Sequence, residues 1–311
     1  SIGFEIEIKN KTQNLWDVVL DTASYFKPQI VINADNLRKE ILVQDLKNTI
    51  YIVSQSGDVL LKKAFKEKIL SDVYQVDLYK TGKLFYVFNT KKYIYALKRN
   101  GSLVDGYPIK LPTEASNSIK VVNYDKAKKY RFFIACENQK VYGYEANGKP
   151  LEGWSPLGSF GNIETKIKYS VFDGRDYIYF NNSEGNFYAF NRKGEKRFDA
   201  VNLATPFKKP FERTKKGFIN FSEGSIYKID LKGKTSAKII AEAAYNNFTN
   251  YETEGAFAVT NDSEFRLAKS KWTILGKKKL NDKILSVDNE EVAIFKDIRL
   301  KIFKDESKTV Q

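Results

Sequence analysis

Five fifteen-residue windows of the chain align without a gap: VQDLKNTIYIVSQSG, VFNTKKYIYALKRNG, IACENQKVYGYEANG, FNNSEGNFYAFNRKG and INFSEGSIYKIDLKG. Tyr51, Tyr95, Tyr142, Tyr188 and Tyr227 hold one position in them, and Gly57, Gly101, Gly148, Gly194 and Gly233 close them six residues later. Successive glycines are 44, 47, 46 and 39 residues apart. A unit of this size cannot bury its apolar surface alone and has to stack on its neighbours.

Each window reads as a short apolar strand, a polar turn and a second strand. In the second strand Ile50, Ile52, Ile94, Ala96, Phe187 and Ala189 alternate with tyrosine or polar residues, a period-two pattern that predicts one buried face. The closing glycines supply the positive φ of a tight hairpin, so another antiparallel strand is expected at 59–62, 103–104 and 196–198. A looser repeat precedes the first three windows, where Asp35, Asp77 and Asp125 open a polar turn between two further strands. Four strands per unit, repeated at this spacing, predict an all-β fold: a β-propeller of four-stranded blades.

The pattern weakens after the fifth window but persists. Residues 265–267 and 299–303 fall at third-strand positions, preceded by strands at 256–260 and 292–295. This gives six blades and a seventh that lacks its fourth strand. Residues 15–20 are strand-like and are expected to close the ring by pairing with the 292–303 hairpin, because an open ring leaves two unpaired sheet edges. Seven blades is the preferred count, with eight or an incomplete ring as alternatives. The whole chain, 1–311, is expected to be one domain, with 1–27 as closing segment and 28–311 as blades. No linker divides it, and no transmembrane run or signal peptide is read; the strand-like start at residues 4–8 fits a mature or excised segment of a longer protein.

A net charge of +14 raises nucleic acid as a partner, yet only nine of the 52 basic residues are arginine. Arginine is the preferred reader of phosphates and bases, whereas lysine along strand edges serves solubility and edge protection. The one dense basic run, 207–216, falls where an inner strand and its hairpin are expected. Nucleic acid is therefore not the expected partner. The chain has no histidine, which removes Ser-His-Asp and Cys-His catalysis and histidine-held metals. Its single cysteine, Cys136, reads as a small buried hydrophobe. Asp35, Asp77 and Asp125 loosely resemble the calcium loops of integrin-type propellers, but lysines such as Lys80 and Lys126 stand among them, so ordinary Asx-type turns are expected. The recurrent tyrosines read as packing between blades, and Tyr107 and Trp154, in DGYP and EGWSP, as blade-terminal core. Trp272 stands where a sixth turn glycine is expected and has no explanation in the pattern.

The strings IYALKRNG, VYGYEANG and FYAFNRKG resemble the repeats of quinoprotein-like propellers, and NGSLVDGYP with NGKPLEGWSP is similar to repeat endings of the FG-GAP class. Over residues 15–200 the sequence resembles the carboxy-terminal propeller of large flavobacterial (Bacteroidota) envelope proteins. That resemblance implies a periplasmic or outer-membrane location and a link with the type 9 secretion system, as the plug of its outer-membrane pore. It implies no quinone: quinoprotein dehydrogenases carry a recurrent tryptophan motif, and this chain has only Trp16, Trp154 and Trp272 and no acidic calcium site. No catalytic residue, cofactor or metal is assigned.

The expected function is non-enzymatic docking of a protein partner, such as an outer-membrane secretion channel, by a chain with no membrane span of its own. The expected face is formed by loops between second and third strands and between blades. On it Lys47, Lys91, Lys92 and Lys140 of the early blades oppose Glu184, Glu223 and Glu264 of the later ones, a split that would orient a partner and make association salt-sensitive. The alternative is a carbohydrate-binding or carbohydrate-active propeller, which would need paired carboxylates converging on a central pocket.

Overall fold

A computed structural model of the chain describes residues 17–24 and 28–239, and beyond them the backbone of the strands lying between residues 247 and 304. Leu15, Trp16 and Trp272 lie outside the described residues. All the regular elements described are strands, so no helix there is long and apolar enough to cross a membrane.

In chain order, β1 (Asp17–Val19) is followed by a sheet of β2 (Gln29–Ile32), β3 (Lys39–Gln44), β4 (Thr49–Val53) and β5 (Val59–Ala64). The next sheet holds β6 (Tyr74–Val76), β7 (Phe85–Asn89), β8 (Tyr93–Leu97) and β9 (Ile109–Lys110). A three-stranded sheet follows, of β10 (Lys120–Tyr124), β11 (Lys129–Ala135) and β12 (Val141–Glu145). Then come β13 (Lys168–Phe172), β14 (Arg175–Asn181), β15 (Asn186–Phe190) and β16 (Val201–Asn202), and after them β17 (Glu212–Thr214), β18 (Gly217–Ser222), β19 (Ser225–Asp230) and β20 (Thr235–Ile239). The last strands are β21 (Asn247–Tyr251), β22 (Ala256–Thr260), β23 (Glu264–Lys269) and β24 (Ile274–Lys279) in one sheet, with β25 (Ile284–Asp288), β26 (Glu291–Lys296) and β27 (Arg299–Lys304) in another. Every sheet is antiparallel, and each window supplies the third strand of its sheet. The fold divides into two compact units, the first holding β1–β5 and β25–β27 and the second holding β6–β24.

In the first unit β1 pairs with β27, Val18 opposite Leu300, and so completes a four-stranded sheet from the two ends of the chain. In the second unit, sequence alternation has a consequence that the one-buried-face reading missed. Phe132 and Ile134 of β11 enter a core shared with β7 and β8, while Phe133 and Ala135 enter another shared with β14 and β15. Tyr177 and Tyr179 of β14 likewise face a third core with Phe218, and Ile178 and Phe180 face back. The middle strands β11 and β14 are therefore buried on both faces, because each of their sheets lies between two others.

The fourth strand expected at 59–62 is present as β5, but those expected at 103–104 and 196–198 are interrupted. Leu103 and Lys196 make single bridges to Leu97 and Phe190, and pairing resumes only at β9 and β16. The interruption after Leu103 holds Gly106, Tyr107 and Pro108 and serves the neighbouring sheet. The Tyr107 hydroxyl donates to the carbonyl of Ala146, and the Trp154 indole N–H donates to that of Arg192 at 3.2 Å, both acceptors lying in the third-to-fourth hairpin of the following sheet. Gly153 sits so close that a Cβ would stand 2.0 Å from the Lys193 carbonyl.

Buried amides tie the sheets together at the other end. Asn89, at the end of β7, accepts from Ile119 N–H at 2.9 Å and donates to the Asn117 carbonyl at 3.3 Å, both in the segment entering β10. Asn117 accepts from Ala135 N–H of its own sheet and donates to the Thr165 carbonyl ahead of β13, each at 2.9 Å. Asn181 accepts from the Thr165 hydroxyl and donates to the Phe207 carbonyl ahead of β17. Replacing Asn89 by leucine strands a buried amide and a buried carbonyl, and is expected to lower unfolding free energy by about 3 kcal/mol. Urea titration checks this; a loss below about 1 kcal/mol would mean that water readily replaces the amide.

Candidate functional site

The turns between second and third strands are held by their own backbone. In the first sheet Asp45 N–H donates to Thr49 O, and the Asp45 carboxylate accepts from Lys47 N–H at 2.9 Å and Thr49 N–H at 2.8 Å. Asn182 plays the same part between β14 and β15, accepting from Glu184 and Asn186 N–H. Such turns leave their tips to solvent. Lys47, Lys91, Lys92, Glu184 and Glu223 are exposed there, and Lys140 is half-buried. Glu264 is the first residue of β23, and its side chain lies outside what is described. Lys47 belongs to the first unit and the other six to the second.

Lys91 and Lys92 do not stand alone. The Lys91 ammonium lies 3.2 Å from Glu114 and 3.6 Å from Glu137, and that of Lys92 lies 3.8 Å from Glu114. Hydrogen bonding and charge from Glu114, with Glu137 adding to them, raise the Lys91 pKa. The juxtaposition comes from backbone: the carbonyls of Lys91 and Lys92 accept from Ala115 and Leu111 N–H and draw the segment before β10 onto the turn. Glu114 and Glu137 were not legible as site residues, since one sits 23 positions away in an irregular connection. All four side chains are more than a third exposed, so these pairs add little stability. Among the described residues Glu184 and Glu223 form no ion pair with these lysines.

A second charged group lies at the starts of the first strands of the second unit. Lys168 of β13 bonds Glu212 of β17 at 2.8 Å, and Lys166 bonds Asp72, ahead of β6, at 2.7 Å. Lys120, first residue of β10, is half-buried with its ammonium 6.0 Å from the Tyr74 ring centroid. No sequence motif marked these residues, because their partners come from separate repeats.

At the opposite ends, where first and second strands meet, Asp77 forms the Asx-type turn expected of it, whereas in the first sheet Asn33 takes that part, accepting from Asp35 N–H at 3.0 Å, and the Asp125 carboxylate is taken by Arg192 instead. Asp77 accepts from Thr81 N–H at 2.9 Å and Gly82 N–H at 3.0 Å, and Lys128 of the next sheet reaches it at 2.6 Å. Arg192 grips Asp125 through two bonds of 2.9 and 3.0 Å, bonds Asp176 as well, and lies 4.5 Å over Tyr124. These carboxylates hold neighbouring sheets together. Of the recurrent tyrosines, Tyr51 and Tyr142 are buried, Tyr188 packs on Phe160 and Phe180, and Tyr227 on Phe207. They are structural.

No family model and no curated protein matches the sequence. Solved structures do match. BBS1N, crystallised in complex with ARL6DN and soaked with lead, is 11% identical with a TM-score of 0.69, over 95% of this chain and 98% of that one. The mercury-soaked crystal of the same complex gives 10% and 0.68, over 95% and 97%. BamB from Moraxella catarrhalis is 13% identical with a TM-score of 0.53, over 93% and 98%. These neighbours are propeller-like, and the likeness, together with the four-stranded antiparallel sheets, makes this chain propeller-like too.

Two consequences are measurable. Burial raises the Asp77 pKa, but the bonds from Lys128, Gly82 and Thr81 outweigh it, so the folded carboxyl titrates below its unfolded value. Its contribution to stability is therefore complete above the unfolded value of about 4 and is lost as pH falls through the lower folded one. Asp77→Asn should be less stable than the parent at neutral pH, and the gap should close toward about pH 2; a gap constant with pH would show that the charge does not matter. Burial pushes the Cys136 thiol up to about 11. A thiol reagent at pH 8 is expected to label Cys136 only after denaturant is added, and immediate labelling would contradict the buried position.

Proposed function

We propose that the chain is a non-enzymatic, protein-docking β-propeller of the bacterial cell envelope, a single domain over 1–311 with seven blades. The β1–β27 pairing supports closure of the ring by the N-terminal strand. The docking contacts are the second-to-third turns: Lys91, Lys92 and Lys140 with Glu184, Glu223 and Glu264 in the second unit, and Lys47 on the equivalent turn of the first.

One observation carries the reading. Lys91, Lys92 and Glu137 stand exposed on turns whose backbone is anchored by hydrogen bonds, with the half-buried Glu114 drawn onto them, so a charged surface is presented at little conformational cost. BBS1N, crystallised with ARL6DN, supports a protein as the occupant of such a fold. Asp72 and Glu212 are each bound to a lysine and the tyrosines are packed between strands, which favours docking over a carbohydrate site. The resemblance over residues 15–200 supports the periplasm or outer membrane as location and the type 9 secretion pore as partner.

Affinity capture of the tagged chain from gently solubilised envelopes of its native host tests this. An outer-membrane channel or secretion component should be recovered, released by a high-salt wash, and lost from Lys91→Glu/Lys92→Glu while the melting temperature holds. Recovery unchanged in that variant would remove these turns as the docking face, and recovery of nothing above background would remove the docking role.

A further inference from the structure

Among the described residues, five charged side chains meet at the starts of the first strands in the second unit, and their charges do not balance. The ammonium groups of Lys168 and Lys166 are taken up by Glu212 at 2.8 Å and Asp72 at 2.7 Å. Lys120 lies within electrostatic reach of all four. Among the described residues no carboxylate is bonded to it, and its one close partner is the Tyr74 ring, 6.0 Å from the ammonium. Among the described residues three ammonium groups thus meet two carboxylates, leaving one positive charge on the half-buried Lys120.

The described residues do not relieve this charge. Desolvation by burial lowers the Lys120 pKa, and Lys168 and Lys166 add repulsion that Asp72 and Glu212 only partly offset. A half-buried cation without a bonded counter-ion is costly to a folded protein. Tyr74 is itself fixed, since its hydroxyl donates to the Ile119 carbonyl at 3.3 Å beside Lys120, so the setting is built rather than adventitious. The missing component is an anion. Asp72 and Glu212 repel a dianion, and the residual charge matches a monoanion.

Resting on the docking reading, we infer that Lys120, with the Tyr74 ring beside it and Lys166 and Lys168 around it, seats one carboxylate from an acidic segment of the protein partner. The bound carboxylate supplies the counter-charge that the strand ends lack, and the flanking Lys168–Glu212 and Lys166–Asp72 pairs restrict the seat to one acidic group.

Isothermal titration of the whole chain with a blocked hexaglutamate peptide at low salt tests the seat. Parent protein, Lys120→Met and Lys98→Met are compared, Lys98 being an exposed lysine on a third-to-fourth hairpin. Saturable binding is expected, weakened about tenfold or more by Lys120→Met and not by Lys98→Met. Without peptide, Lys120→Met should melt at the parent temperature or above it, because an uncompensated charge is removed. Absence of binding, equal behaviour of the two variants, or a large drop in the melting temperature of Lys120→Met would overturn the inference. Competition by inorganic phosphate would make this a small-oxyanion site and overturn the peptide assignment. Envelope capture leaves Lys120 intact, so the two readings fail separately: a recovered partner without peptide binding removes only this seat, and peptide binding without a recovered partner removes only the docking role.

Discussion

The second unit depends on side-chain amides at three successive sheet junctions, from the β6–β9 sheet to the β17–β20 sheet. A sheet in this arrangement has its ladder bonds satisfied within itself, and apolar packing between sheets carries no register. Asn89, Asn117 and Asn181 supply that register: Asn89 holds the segment entering β10 through both its oxygen and its nitrogen, Asn117 joins Ala135 of its own sheet to Thr165 ahead of the next, and Asn181 joins the Thr165 hydroxyl to the Phe207 carbonyl. Because all three are buried, water offers no ready substitute, and a displaced sheet would leave several polar groups unpaired at once. The cores then only have to fill the space that these bonds define.

A second set of ties acts at the hairpins of the third and fourth strands. Tyr107 and Trp154 bond equivalent carbonyls in successive sheets, and Phe198 takes the corresponding place against Gly233, by ring contact alone. Arg192 joins this set, bound to Asp125 of one sheet and Asp176 of its own. Consecutive sheets are thus held at both ends and through the apolar layer between. A frame fixed in this way leaves its short turns free to carry charge without disturbing the fold, which is the property a docking surface requires.

The two charged groups of the second unit differ in the way that matters for function. Lys91 and Lys92 meet Glu114 and Glu137 in the open, where solvent screens each pair and a partner could exchange with either sign. Lys120 sits deeper, among charges already committed to one another. Exposed pairs of the first kind steer and orient an approaching surface, while a partly desolvated cation of the second kind discriminates what it finally accepts.

Most of the secondary structure was legible because its determinants are local. The tyrosine and glycine of each window lie six residues apart, and the turn glycines have the positive φ their position demands, 76° at Gly101 and 85° at Gly148. Of the later strands, β22, β23, β26 and β27 were placed by the same periodicity, although their windows had lost the glycine, whereas β21, β24 and β25 were not. The site was legible only as a set of turns. Gln44, Asn89, Asn181 and Asn220 recur near the end of the second strand, a visible polar mark, but the partner of Asn89 lies 28 residues away and nothing local identifies it. The pairing of Lys166 with Asp72 spans 94 residues and that of Lys168 with Glu212 spans 44. By itself the sequence determined the strands, their order within each sheet and the hairpins, since these follow from neighbours in the chain. Only the tertiary structure decided which charges are neutralised and that Lys120 has no bonded carboxylate among the described residues, because a charge is balanced by what lies near it in space, and the fold brings those groups from separate repeats.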